Sequence, residues 1–514
     1  MKTAPLHTIR NLEEQAHMAL NAGESTLMEK ASLRCAEEIH LFKKQHKSLS
    51  DLEIVIFAGR GNNGGDGILC GGYLHTLFGE KVTVYSMQHP KDMNDEIRRH
   101  FFSLPDAVSV KFTGNDGQMT EVLPPCLIVD AVLGIGFKGE LRGGAEKVVD
   151  FINSVNFPVI SIDVPSGIEC DSGNGVNAVF ADMTLTIGAE KKGLYINDGR
   201  IHSGIVKFID IGFDLQQIKD KEAELEVIHE DLFYKFFTRP TEEFYKYKNG
   251  SLLIIGGSKN YPGAVVLSIL GANAAGCGLL SAAIKAEPFG AIPPSVIVRD
   301  FSENNAKCFN KSDIEEITKI SNRQNAIVFG MGITADPELK DVLNAILQMP
   351  QTLILDADAL NVLAMFPEIW HNRKHNKIIL TPHKQEAVRL AQAFGISGFN
   401  DMTRLQQAEI LAETLQCTIV LKGDKTLIST PDCRTMVNQC GTYALAKGGS
   451  GDILSGVIGA LAARNRNFSL QQIAALGVFI HAAAADSAAQ SRSAFDINTL
   501  PDAVKQFIDS KTIF

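Results

Sequence analysis

No two cysteines in this sequence stand at CxxC spacing, and no zinc constellation of Cys and His emerges from it. Its nine cysteines (35, 70, 126, 170, 277, 308, 417, 433 and 440) are scattered through apolar or loop sequence. An odd, unpatterned set reads as reduced thiols in a cytoplasmic protein. Basic charge is also short, with 49 Lys+Arg against 59 Asp+Glu and a net charge of −10. That excludes the basic stripe of a nucleic-acid binder. It leaves nucleotides open, because backbone amides and a few cations hold them. The opening "MKTAPLHTIRNLEEQ" lacks an apolar core, so no secretory signal is expected. One uncharged run, 263–284, is long enough to test as a membrane span. It carries Asn273, four glycines and few large apolar residues, and reads as a buried helix leading into a buried strand.

What is present is a globular composition, 45% hydrophobic and 21% charged over 514 residues, enough for two or three domains. Short apolar runs ending in Gly or Asp recur at 52–59, 81–87, 126–134, 158–167, 183–188 and 205–213, with helix-like stretches between. That is the pattern of a parallel sheet covered on both faces. A polar, charged segment at 214–232 marks a junction. The alternation restarts at 251–258, 326–332, 352–360, 377–383 and 418–429, and turns helical after Asn438. No repeat links the halves. Two unrelated α/β domains are expected, 1–220 and 221–514.

"GNNGGDG" (61–67) follows a strand-like run and opens a helix, where open α/β sheets bind ligands. Four glycines, two Asn and one Asp exceed the needs of a turn. Asp130 in "DAVLGIG", and Asp163 and Ser166 in "IDVPSG", end neighbouring strands. Asn63, Asp130 and Ser166 offer only hard oxygen ligands, which suits an alkali or alkaline-earth ion. Asp163 is the candidate for proton transfer. In the second half, "KGGSGD" (447–452) makes a cradle of amides for an anionic oxygen, formed by Gly448, Gly449, Ser450 and Gly451. Asp452 beside it is suited to take a proton from a hydroxyl lying next to a phosphoryl group. The competing reading is an N-cap aspartate in a glycine-rich turn. "LKGDKT" supplies Lys422, Gly423, Asp424, Lys425 and Thr426 for a nucleotide's phosphates and sugar, and "TPHKQE" brings His383 to a strand end. In "LDADAL", one of Asp356 and Asp358 orients a metal or water, or both cap a helix.

"LMEKA" (27–31), "GNNGGDG", "DAVLGIG", "IDVPSG" and the glycine-containing stretch 181–194 resemble the NAD(P)HX epimerase family, a Rossmann-like three-layer fold. The resemblance implies substrate contacts at Asn62, Asn63, Gly64, Gly65, Asp66, at Gly134, Ile135, Gly136, Phe137, Lys138, Gly139 and Glu140, and at Asp163. It implies K+ ligands at Asn63, Asp130 and Ser166. "IIGGSKNYPGA", "LDADALN", "LTPHKQEAVRL", "LKGDKT", "ALAKGGSGDILSG" and "GVFIHAAAAD" are similar to the ADP/ATP-dependent NAD(P)H-hydrate dehydratase family, of ribokinase-like fold. Hydrated-substrate contacts are implied at Ala264, Gly332, His383 and Asp452, and nucleotide contacts at 422–426 and around Gly451. Lys30, Met331, Thr334 and Ser295 depart from the family patterns. The whole chain resembles the bacterial bifunctional NAD(P)H-hydrate repair family. Hydrated NADH or NADPH would be epimerised at C6 and the S form dehydrated through a phosphorylated hydroxyl, with ADP and Mg2+ giving AMP and phosphate. A cytoplasmic homo-oligomer acting on small molecules, with neither nucleic acid nor membrane as partner, is expected. The rival reading is a small-molecule kinase of the same fold behind a non-catalytic binding or scaffold domain.

Overall fold

The computed structural model describes residues 1–19, 26–113, 123–220, 222–237, 249–285, 292–302, 307–441, 443–464, 467–489 and 495–512. The chain divides into two compact units, Met1–Leu225 and Glu226–Phe514.

The first unit is a seven-stranded sheet in the order Ser109–Phe112, Val82–Ser86, Glu53–Ala58, Cys126–Ala131, Val159–Ile162, Met183–Ile187, Ile205–Ile209. Every pairing is parallel. The central strands are buried throughout, so they read as continuous rather than alternating apolar runs. Strand order reverses at Glu53–Ala58, which opens a crevice beyond its carboxyl end. Helix Asn62–Phe78 starts there despite its many glycines, weak helix formers that cost about 1 kcal/mol each relative to Ala. Their use is close approach. A Cβ on Gly64 would stand 2.1 Å from the Gly59 carbonyl oxygen, so only glycine lets the helix start directly on the strand end.

The second unit carries a ten-stranded sheet, ordered Ile297–Asp300, Leu279–Ile284, Ser251–Gly256, Ala326–Phe329, Thr352–Leu355, Ile378–Leu380, Thr418–Leu421, Leu427–Thr430, Cys433–Val437, Leu225–Val227. The strands from Ile297–Asp300 through Thr418–Leu421 pair in parallel, and Leu427–Thr430 is antiparallel to both of its neighbours. Helices Pro262–Ala274 and Ser450–Arg464 pack against each other at short range: a Cβ on Gly456 would meet the Ser268 carbonyl oxygen at 1.9 Å. That contact fixes the helix carrying Asp452.

The run 263–284 is the expected helix and strand, Pro262–Ala274 and Leu279–Ile284. Among the described residues one helix, Leu470–Ala489, is long and apolar enough to cross a membrane, and most of it is buried inside the unit. One reading of an element is corrected, and two edge strands were not anticipated. The run 418–429 is not one strand but two antiparallel ones with 422–426 as the turn. The charged junction contains an edge strand, Leu225–Val227. Ser109–Phe112, almost wholly exposed, forms an edge with no apolar run to announce it.

Candidate active sites

In the first unit a cavity of about 920 Å³ lies over the strand ends. Of the substrate contacts expected there, all but Gly64, Gly65 and Gly139 line it. Asp130 is the penultimate residue of strand Cys126–Ala131 and is fully buried. Its carboxylate accepts from Ser161 Oγ at 2.8 Å, Ser166 N at 2.9 Å, Ser166 Oγ at 2.6 Å and Val132 N at 3.2 Å. Burial raises its pKa, and the Ser166, Val132 and Ser161 hydrogen bonds oppose the rise. No described cationic side chain pairs with it. Asn63 Nδ2 donates to the Leu133 carbonyl at 2.9 Å, whereas its buried Oδ1 has no partner. A buried anion without a counter-charge beside an orphaned amide oxygen fits a hard monovalent cation. Asp130's oxygens are already occupied by four donors, so its contribution is chiefly charge.

Asp163 sits in the left-handed region at φ 69, a conformation Asp tolerates better than most side chains. Two backbone bonds hold the turn, Asp163 N to Leu185 O at 2.8 Å and Val164 N to Ile162 O at 2.9 Å. Asp163 Oδ1 takes Lys191 Nζ at 2.7 Å and Ile187 N at 3.3 Å. Lys191 is completely buried and also donates to the carbonyls of Ile187 at 2.7 Å and Ala189 at 3.1 Å. Asp163 Oδ2 faces the Gly134 loop, 3.5 Å from where a Cβ on Gly134 would be. Asp66 points into the same cavity from the first turns of its helix. Its pKa is raised well above the usual carboxylate range by burial and by the charges of Asp163, Glu13 and Glu96. Glu13, on helix Leu6–Ala19, is raised for the same reasons, against the pull of Lys191, His17 and Arg10. Sequence reasoning quoted Lys191 in a motif without a role and missed Arg10 and Glu13, because nothing local ties the N-terminal helix to strand ends far along the chain.

In the second unit a cavity of about 720 Å³ is formed by the loops after Thr352–Leu355, Ile378–Leu380 and Thr418–Leu421 and by the start of Ser450–Arg464. Of the expected residues, all but Ala264, Gly332 and Lys425 line it. Lys425 turns away, its Nζ bonding the Gln439 carbonyl at 3.2 Å. Ala264 and Gly332 face one another elsewhere on the strand ends, a Cβ on Gly332 standing 2.9 Å from that of Ala264. Gly449, at φ 94, shapes the cradle, and nothing lies within 4 Å of a Cβ on Gly448, so its backbone is open to a ligand. Asp452 is the third residue of its helix, not the cap, and no described residue donates a hydrogen bond to its carboxylate. The capping reading therefore fails for Asp452. Its carboxyl is pushed up to about 7 by burial and by Asp356, Asp358 and Glu386, with Lys422 opposing.

Capping fails for the other pair too. Asp356 accepts Lys422 Nζ at 2.8 Å and its neighbour Ala357 N at 2.8 Å. Asp358 holds Thr334 N at 3.0 Å, and this bond supports a β-branched residue at φ 63. Burial works against the Lys422 charge, yet Asp356 and Glu386 hold its pKa above the ordinary value. His383 is a cap: its Nδ1 accepts from Gln385 N at 3.1 Å and Glu386 N at 3.4 Å, leaving the ring proton on Nε2, 3.3 Å from Glu386 Oε1. Burial and the Lys422 and Arg389 charges lower its pKa, so it lines the cavity as a neutral ring. Two residues escaped sequence reasoning. Arg404 clamps the 422–426 turn through Asp424 at 2.8 Å and the carbonyls of Leu421 and Lys422. Asn438 lines the cavity with a buried, unpartnered Oδ1.

The family model for NAD(P)H-hydrate dehydratase matches residues 252–508, and that for YjeF-related protein N-terminus matches residues 24–193. A bifunctional NAD(P)H-hydrate repair enzyme from Coxiella burnetii is 32% identical over 449 residues, 85% of this chain and 86% of that protein. Another from Synechocystis is 30% identical over 491 residues, 92% of this chain and 88% of the relative. The chain belongs to the bifunctional NAD(P)H-hydrate repair family. It is an enzyme with epimerase and dehydratase domains, as the sequence motifs implied. A Moorella thermoacetica member is 29% identical over 91% of this chain and 88% of its own length. Among solved structures, a ribokinase-like superfamily protein from Enterococcus faecalis is similar at 23% identity and a TM-score of 0.47, over 56% of this chain and 96% of that one.

Proposed function

We propose that the first cavity epimerises the C6 hydroxyl of hydrated NADH or NADPH, and that the second dehydrates the S form using ADP. The observation that carries the second assignment is an unpartnered carboxylate, Asp452, set beside a glycine cradle and the partly buried Lys422. In this reading Asp452 takes the proton of the C6 hydroxyl as its oxygen attacks the β-phosphoryl group of ADP. The amides of residues 448–451 and the Lys422 ammonium stabilise charge on the moving phosphoryl group, and AMP leaves. Phosphate is a far better leaving group than hydroxide. Its departure from C6, followed by loss of a proton from C5 to water, restores the ring double bond, and no stable phosphoester remains.

The carboxylates of Asp356 and Glu386 are hard oxygen donors suited to Mg2+ carried by the nucleotide, which would neutralise phosphate charge. Lys422, now paired with Asp356, is free to turn to the phosphates once that charge is shared. In the first unit Asn63 Oδ1, Asp130 and Ser166 would hold K+, which supplies the positive charge that the buried Asp130 lacks.

The test is incubation of the purified chain with hydrated NADH, Mg2+ and either ADP or ATP, following return of reduced-nicotinamide absorbance. Recovery with ADP, with AMP and phosphate released, is expected. Recovery with ATP alone refutes the donor. Accumulation of a phosphorylated product without free phosphate makes the second unit a small-molecule kinase instead.

A further inference from the structure

Inverting C6 requires chemistry on both faces of one carbon, and Asp163 alone serves only one. The hydroxyl-bearing carbon of the hydrate is bonded to the ring nitrogen. Loss of the hydroxyl as water is therefore assisted by the nitrogen lone pair, but hydroxide leaves only if it is protonated as it goes. The first cavity contains a second carboxyl placed for that task. Asp66 lies one turn beyond Asn63 on helix Asn62–Phe78, so the two share a helix face. Asn63 in turn touches the Gly134 loop, a Cβ on Gly134 lying 3.1 Å from Asn63 Cβ on one side and 3.5 Å from Asp163 Oδ2 on the other. Asp66 and Asp163 both line one cavity, Asp66 from the helix that follows Glu53–Ala58 and Asp163 from the turn that follows Val159–Ile162, with Cys126–Ala131 between the two strands.

The two carboxyls differ in their surroundings. Asp163 Oδ1 is tied to Lys191 at 2.7 Å, while Oδ2 faces the loop. Asp66 accepts no hydrogen bond or ion pair from a described residue, and the charges acting on it are the carboxylates of Asp163, Glu13 and Glu96. Glu13 also lines the cavity but has Lys191, His17 and Arg10 around it. Burial without a paired cation of its own favours the protonated carboxyl, which is the state a proton donor needs.

We infer that Asp66 is a catalytic residue of the epimerase, the proton donor opposite Asp163. The inference rests on the assignment of this cavity to epimerisation. For the R hydrate, Asp66 gives its proton to the C6 hydroxyl. The C6–O bond breaks with its electron pair on the departing water, and the nitrogen lone pair becomes a C6=N bond. A water then adds to the other face. Its oxygen bonds C6, the π pair returns to nitrogen, and Asp163 takes the proton lost by that water. The S hydrate runs the same steps with the two carboxyls exchanged, and for a further R hydrate a proton returns from Asp163 to Asp66 through solvent, so no oxidant or external acid is consumed. Every inversion replaces the hydroxyl oxygen by one from solvent.

The experiment uses the full chain and pure R hydrate, with the two epimers separated by chromatography in water enriched in 18O. Wild type is expected to form S hydrate above the buffer background, with one solvent oxygen per inversion. Asp66→Asn is expected to lower kcat for epimerisation by about 10²–10⁴-fold with KM changed by less than about threefold, and Asp66→Glu to recover part of the loss. A thermal melt of the same preparations reports folding of the first unit, which carries Asp66, and nucleotide-dependent dehydration of S hydrate reports that of the second. Asp66→Asn with near-wild-type kcat, a loss confined to KM, or inverted product without 18O overturns the inference. Failure of the wild type to epimerise at all overturns the assignment of the cavity itself, and the inference falls with it.

Discussion

Replacing Asp452 by Asn preserves the size and shape of the side chain and deletes its ability to accept a proton. Because the carboxyl is unpartnered and helix-internal, the change removes no described hydrogen bond. Chain stability should stay within about 0.5 kcal/mol. The dehydration rate should fall by about 10²–10⁴-fold, the usual contribution of a general base. ADP affinity, measured by calorimetry, should hold or improve, since one negative charge near the phosphates is gone. The wild-type pH profile gives an independent signature. Asp452 sits at about 7, raised first by burial and then by Asp356, with Lys422 opposing. A base works ionised, so the rate should rise about tenfold between pH 6 and 8 and then level off. Glu386, buried next to the same groups, is also raised to about 7, which makes Glu386→Gln the necessary control. Removing its charge takes away one cause of the Asp452 shift, so the limb should move to lower pH and persist. The assignment is refuted if Asp452→Asn retains turnover within about threefold of wild type, or if the limb survives there and vanishes in Glu386→Gln.

Lys191→Met should leave Asp163 partly buried and unpaired, lowering the stability of the first unit by about 3–5 kcal/mol in a thermal melt while dehydration at moderate temperature persists. Potassium should raise the melting temperature of the first unit relative to sodium, and Asn63→Ala should abolish the difference by removing the orphaned oxygen. Arg404→Ala removes a partly exposed clamp on the 422–426 turn, so KM for the nucleotide should rise by no more than about fivefold, with kcat kept.

The sequence made the sheets legible because their central strands are buried on both faces and so appear as unbroken apolar runs. Edges lacked that signal. Ser109–Phe112 is mostly exposed, and Leu225–Val227 is three residues inside a charged stretch. The turn at 422–426 read as strand because "LKGDKTLIS" has strand residues on both sides, and a reversal of direction leaves no trace in hydrophobicity. Glycine loops and strand-end aspartates were visible for a related reason: a residue type that packing does not need stands out. Lys191 did not stand out, since a lysine in a loop reads as surface until the fold wraps carbonyls around it. Arg404 and Asn438 were hidden by distance along the chain.

The two cavities share a charge arrangement although their folds differ. In each, one aspartate is pinned by a lysine, Asp163 by the buried Lys191 and Asp356 by the partly exposed Lys422. In each, a second carboxyl without a hydrogen-bonding partner stands nearby with its pKa raised, Asp66 in one and Asp452 in the other. The pinned aspartate acts on its neighbour through space: its charge disfavours ionisation of the second carboxyl and brings that group closer to the proton-transfer threshold at neutral pH. The lysine determines how strong that push is. In the proposed reading Lys422 turns to the phosphates as Mg2+ takes up the Asp356 charge, so the push on Asp452 depends on occupancy of the donor site. Lys191 has no such freedom, because two backbone carbonyls and Asp163 hold it within the protein. The Asp163–Lys191 pair is therefore a permanent part of its cavity.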